Sequence, residues 1–221
     1  SEMSPVSGKK WVRYDDTKPQ TLQVPLYDEV VPRVSVTLPQ GGYLVPPEHA
    51  VWVAEKLKLH GLRFTVVSQP RPGAPVETML LEPSFRPQPY EGRHAVSAKG
   101  TWSAGVTDIV KCSLFVPAAQ PHIALVAHLF EPASPDSFVS WGFFNAHFEQ
   151  KEYLEDYLTE AYARELLTDG GVKAEFEAKL KDEAFAKNPD ARLRFFSSRH
   201  PSADPRLNRY PIVRTAQRAW K

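Results

Sequence analysis

A single cysteine, Cys112, stands in 221 residues, so no internal disulfide framework can hold this chain together. That suits a reducing compartment and equally an exported protein built without disulfides, and it leaves the compartment open. No stretch approaches the ~20 consecutive apolar residues of a membrane-crossing helix. Net charge is also nearly missing. Lys and Arg number 27 against 26 Asp and Glu, leaving +1, too little to draw the whole molecule to nucleic acid or an anionic membrane. Residues 1–14 are polar and basic without an apolar centre and do not read as a secretory leader. There is no G-x-S-x-G elbow and no Walker loop. The pairs Gly41-Gly42 and Gly170-Gly171 are isolated and read as turns rather than phosphate cradles.

What is present is an ordinary globular composition, 42% hydrophobic and 24% charged, with one abundant residue. Proline occurs 21 times, roughly twice the usual ~5%, and 13 of those fall at or before Pro89. Proline fixes φ and cannot donate to a ladder, so short strands and rigid connectors are expected there. Residues 21–26 (TLQVPL) and 34–38 (VSVTL) alternate and predict strands, pushed to sheet edges by Pro25 and Pro32. Residues 42–45 predict a short strand and 47–60 a helix, with Pro47 in its first turn and Gly61 just past its end. Residues 62–67 and 76–81 predict strands. Residues 93–99 and 106–116 predict a hairpin across Gly100–Gly105, with Cys112 buried mid-strand.

Beyond residue 117 the pattern turns helical. Residues 121–130 are apolar and helix-like. Ser134-Pro135-Asp136-Ser137 carries the marks of a helix start, with a serine cap, a proline and an acid near the positive dipole end. Helix is then expected over most of 138–168, over 172–187 and briefly over 189–196, with a last strand near 211–213. The prediction is an α+β fold, with a Pro-rich, mostly β part at 1–117 and a helical part at 118–221 forming one compact unit. Charge is segregated. Residues 131–183 hold 13 acids and 5 bases (−8), and residues 187–221 hold 9 bases and 2 acids (+7). The expected reading is a basic tail packed back on acidic helices; no nucleic-acid-binding motif accompanies it.

Few residues are placed to do chemistry. One H-x-x-E occurs, at His128 and Glu131, for which the third zinc ligand could be only His147 or His200. His128 sits in the apolar run IALVAHLF, which Glu131 ends just before Pro132, and a core or boundary histidine is the plainer reading. Glu149, Glu152, Glu155 and Asp156 can share a helix face, but a di-metal bundle also needs Glu-x-x-His pairs, which are absent. They read as solvated acids. Phe138, Trp141, Phe143, Phe144, Phe148, Tyr153 and Tyr157 form an aromatic cluster. Most of it reads as core, and part of it, with Asp136, Ser137 and Trp141, is a candidate groove for cell-wall peptide or glycan.

The run FEPASPDSFVSWGFFNAHFEQKEYLEDYLTEAYARELL, followed in order by FEAKL, DEAFAKNP and ARLRFFSSRHPSADPRLNRYPIVR, resembles the C-terminal region of bacterial zinc carboxypeptidase A-like metallopeptidases. GGYLVPPEHAVWVAEKLKLHGLRF and PYEGRH also resemble the segment after the catalytic domain in that family. The resemblance implies a non-catalytic accessory domain whose partner is the catalytic domain upstream in the same protein. In that family zinc is held by an H-x-x-E pair and a later histidine, with a glutamate as general base, all in that upstream domain. It therefore assigns no catalytic residue, metal ligand or cofactor to this chain. The opening at Ser1 fits an excised fragment. Relatives of this type are often exported, which implies a periplasmic or secreted parent.

Overall fold

The computed structural model describes residues 1–32, 34–151 and 153–221. Ser1–Ser35 and Val36–Lys221 are separate units. The first holds an exposed ribbon of β1 (Glu2–Met3) antiparallel to β2 (Lys10–Trp11). The strands expected at 21–26 and 34–38 do not form among the described residues. Leu22, Val24, Leu26, Val34 and Val36 are exposed. Alternation supplies a strand's face but not its partner, and Pro19, Pro25 and Pro32 each remove a ladder donor.

The second unit is α+β. Its strands are β3 (Gly42–Val45), β4 (Thr65–Val66), β5 (Arg71–Met79), β6 (Glu82–Phe85), β7 (Val96–Lys99), β8 (Trp102–Ile109), β9 (Leu114–Pro117) and, at the far end of the chain, β10 (Val213–Thr215). Six of them form an antiparallel sheet in the order β4-β9-β3-β10-β5-β8. The last strand thus lies between two early ones, and residue 117 is no break in the sheet.

The hairpin lies elsewhere than expected. β5 pairs with β8 and β6 with β7, so residues 71–85 run against 96–109. Its turn is Glu91-Gly92, with φ of +49° and +70°, held by reciprocal bonds between Tyr90 and Arg93 at 2.8 and 2.9 Å. Positive φ at both central residues is what a tight hairpin with the native twist demands. Gly100 is instead a point of close approach, where a Cβ would meet the Leu80 carbonyl oxygen at 2.5 Å. Nor is 106–116 one strand. It breaks at a turn where Cys112 takes φ +69° and is exposed, so the thiol is not buried.

The helices are α1 (Pro47–Leu59), α2 (Ile123–Phe130), α3 (Asp156–Leu166), α4 (Gly170–Lys179), α5 (Glu183–Ala186) and α6 (Pro189–Ser197). In α1 Pro47 needs no N–H at the first turn, and Ala50, Val53 and Leu57 are buried at helical spacing. Full burial of such a Val or Leu stabilises by about 1.5–3 kcal/mol. The long helix expected over 138–168 is absent. Only a 3₁₀ turn at Asn145–Phe148 and α3 form. Phe138, Val139, Phe144 and Phe148 are all buried, a spacing no single helical stripe provides. Ser140 bonds back to Ser137 and Pro135 carbonyls, which competes with helix. Gly142 takes φ +72°.

Tyr43, Val45, Leu114, Val116 and Ile212 share one core with α1, α2 and residues 138–148. Leu44, Val76, Phe115, Val213 and Trp220 form a core of their own. Neighbours in one strand alternate between the two, as the pleat requires. Ala163, Phe176, Phe195 and Phe196 from α3, α4 and α6 make a third cluster. The basic tail does meet acids from the preceding stretch, through Lys187–Glu183, Arg199–Glu175 and Arg214–Glu131.

Candidate functional site

Glu131 is the acid at the end of the apolar α2 run, and it is 2% exposed. Burying a carboxylate is costly unless donors surround it. Four donor groups do. Arg214 donates through Nε at 3.0 Å and Nη2 at 2.6 Å, Trp102 through Nε1 at 3.1 Å, and Tyr43 through its hydroxyl. The Arg214 guanidinium also lies 4.4 Å from the Trp102 ring centre. Burial, then the Glu131 charge, pushes the Tyr43 phenol far above its ordinary range. Tyr210, wholly buried, is pushed the same way by burial first and Glu131 second, and its hydroxyl donates to the Phe130 carbonyl at 2.8 Å. The cluster joins α2 to β3, β8 and β10. With its oxygens taken by these donors, Glu131 is a structural anchor. Tyr43, Trp102 and Arg214 carry no sequence signal for this role, because their meeting depends on the order of the strands.

The zinc-like spacing does not assemble. His128 Nδ1 is bonded to Ser134 Oγ at 2.9 Å, and His200 Nδ1 to Ser202 Oγ at 2.7 Å, while Glu131 faces Arg214. Among the described residues no three His, Cys, Asp or Glu side chains converge to hold a metal. Glu149, Glu155 and Asp156 are exposed, and Glu152 lies outside the described residues.

Asp136, Ser137 and Trp141 are brought together, though in a turn rather than at a helix start. Trp141 Nε1 donates to Asp136 Oδ1 at 3.2 Å. Ser137 is fully buried, and its Oγ accepts the Ser140 N–H at 3.0 Å. Asp136 is exposed and Trp141 half-buried, so two of the three reach solvent. Of the aromatic cluster, Phe138, Phe144 and Phe148 are core. Phe143 stacks on Trp52 at 4.8 Å and carries the Arg93 guanidinium 3.8 Å from its ring centre. Tyr153 and Tyr157 are exposed.

Beside this turn lies a histidine pair that sequence reading did not connect. His49 on α1 and His147 on the 3₁₀ turn approach to 2.8 Å between their Nε2 atoms. Trp52 Nε1 donates to His49 Nδ1 at 3.3 Å. A donor at Nδ1 leaves the proton of neutral His49 on Nε2, pointing at His147. A further proton on either ring would oppose an incoming donor. Both rings titrate below their ordinary value. For His49 the causes are burial and then the His147 charge; for His147 burial leads, with Lys151 and Arg206 adding to it and Glu48 and Asp204 opposing.

No helix among the described residues is long and apolar enough to cross a membrane. Comparison with protein-family models, curated proteins and solved structures finds no match.

Proposed function

We propose that this chain is a non-catalytic accessory domain of a zinc carboxypeptidase-like, peptide-hydrolysing protein. Its role is structural or substrate-positioning, and its first partner is a catalytic domain upstream in the same protein, in a periplasmic or secreted parent. The ordered resemblance from Leu129 to Phe196 suggests the family. The observation that carries the non-catalytic reading is the fate of Glu131. The acid of the one zinc-like spacing is held by Arg214, Tyr43 and Trp102 inside the core. In this reading zinc and its general base belong to the upstream domain, where zinc would polarise the scissile carbonyl and activate water.

The test is metal analysis and a C-terminal peptidase assay on the purified chain. No stoichiometric zinc and no turnover are expected; one tightly held zinc per chain sinks the proposal. The reading frame ahead of Ser1 should encode a zinc-binding carboxypeptidase domain.

The solvent-reaching pair Asp136 and Trp141 favours a second reading, a binding module for cell-wall peptide or glycan. A wall pull-down unchanged by Trp141→Ala removes it.

A further inference from the structure

A groove of about 620 Å³ opens between α6, the end of α4 at Lys179, residues Gln150, Lys151, Tyr153 and Leu154, and the loop 202–208. That volume is in the range that takes a small ligand or a short peptide. Its apolar lining includes Leu80, Leu154, Phe195 and Leu207, and Leu80 and Tyr153 are 64% and 78% exposed. Around this surface stand Lys151, Lys179, Arg194 and Arg199, against one acid, Asp204. Among the described lining residues the local charge is therefore four minus one, +3, in a chain whose total is +1.

The cations are not equivalent. Arg199 is committed, since it pairs with Glu175 at 2.7 Å and lies 3.7 Å from the Phe195 ring centre. Asp204 is occupied by its own turn, accepting the Arg206 N–H at 2.8 Å. Lys151, Lys179 and Arg194 are exposed and carry no ion pair among the described residues; Lys179 Nζ lies 5.8 Å from the Phe185 ring centre, a loose contact that leaves the ammonium its hydrogen-bond donors. Three exposed cations around an apolar floor suit an occupant with carboxylates and aliphatic groups on one flexible backbone. Ser197, Ser198 and Asn208 line the same groove and can serve that backbone's amides.

We infer that this groove binds an acidic peptide segment, with Lys151, Lys179 and Arg194 meeting its carboxylates and Leu80, Tyr153 and Leu154 its apolar side chains. A nucleic-acid strand fits less well. Successive bases need successive exposed rings, and among the described lining residues only Tyr153 offers one. The inference does not depend on the accessory-domain reading, because a groove for acidic peptide could serve any parent.

The test is fluorescence anisotropy with the labelled hexapeptide acetyl-Glu-Leu-Glu-Ala-Glu-Leu, its lysine counterpart and a ten-base oligothymidine. Saturable binding of the acidic peptide is expected, weaker at ~200 mM than at ~50 mM salt. Lys179→Glu with Arg194→Glu should weaken it by about tenfold or more, with an unchanged melting midpoint. If that double variant does not fold, Lys179→Gln with Arg194→Gln provides the same readout. Equal affinity in the folded variant, equal binding of the lysine peptide or tighter binding of the oligonucleotide would each overturn the inference. So would the absence of saturation up to ~1 mM peptide. None of these outcomes bears on zinc content or peptidase turnover.

Discussion

Glu131 and Arg214 are 83 residues apart in sequence and meet where each is almost wholly buried. Removing one partner strands the other charge, so Glu131→Ala should cost about 3–5 kcal/mol in urea unfolding. The pair Glu131→Leu with Arg214→Met should cost less than Glu131→Ala, because no charge is then left alone; a cost equal to the sum of the singles would contradict the anchor. His49 and His147 give a second prediction. Their folded pKa values lie below the unfolded value of about 6.5, so the unfolded chain takes up protons first as pH falls. The pair's stability is complete above about 6.5 and is lost as pH drops into the window below it. The urea midpoint should therefore fall between pH 7 and 5.5, and His147→Gln should flatten that fall. A parallel profile in the variant would exclude the pair as its source.

At the scale of elements, local chemistry set some boundaries firmly. Asp169 caps α4 by accepting the N–H groups of Gly171 at 2.7 Å and Val172 at 3.0 Å. Asp169→Ala should cost about 1 kcal/mol, with faster amide exchange confined to the first turn of α4. Unchanged exchange there would show that packing of Phe176 alone holds the helix. Helices α1 and α6 were legible for the same reason, since Pro47, Asn188 and Pro189 act on the turn they begin. The hairpin was misplaced because glycine alone does not identify a turn. Glu91-Gly92 turns the chain, while Gly100 only makes room for Leu80. Helix is expected over 138–148 because Ser134-Pro135-Asp136-Ser137 carries the marks of a helix start, but those residues form a turn and Phe138, Val139, Phe144 and Phe148 follow it. Their burial in one core, at spacings helix cannot satisfy, is a tertiary matter.

The whole molecule shows a further asymmetry. Among the described residues every buried hydrophobic side chain that forms the core lies between Tyr43 and Trp220, so residues 36–221 contain their own core. That chain should unfold cooperatively, with a midpoint within about 4 °C of the full chain. Ending the chain at residue 211 removes Ile212, Val213, Arg214 and Trp220, all buried. It also takes β10 from between β3 and β5 and should abolish the transition in calorimetry. A truncated chain that still melts cooperatively would show the sheet can close without its last strand.

Composition, turn chemistry and caps act within a few residues, and from them the sequence alone determined an α+β class, helix α1 and helix α6, whereas the single helix expected over 172–187 is divided into α4 and α5 by the Asp182 cap. Strand order, the burial of Glu131, the meeting of His49 with His147 and the cationic groove depend on which distant segments pair. The long-range packing of the sheet decided them, because an alternating segment specifies a face and a period but not the strand beside it.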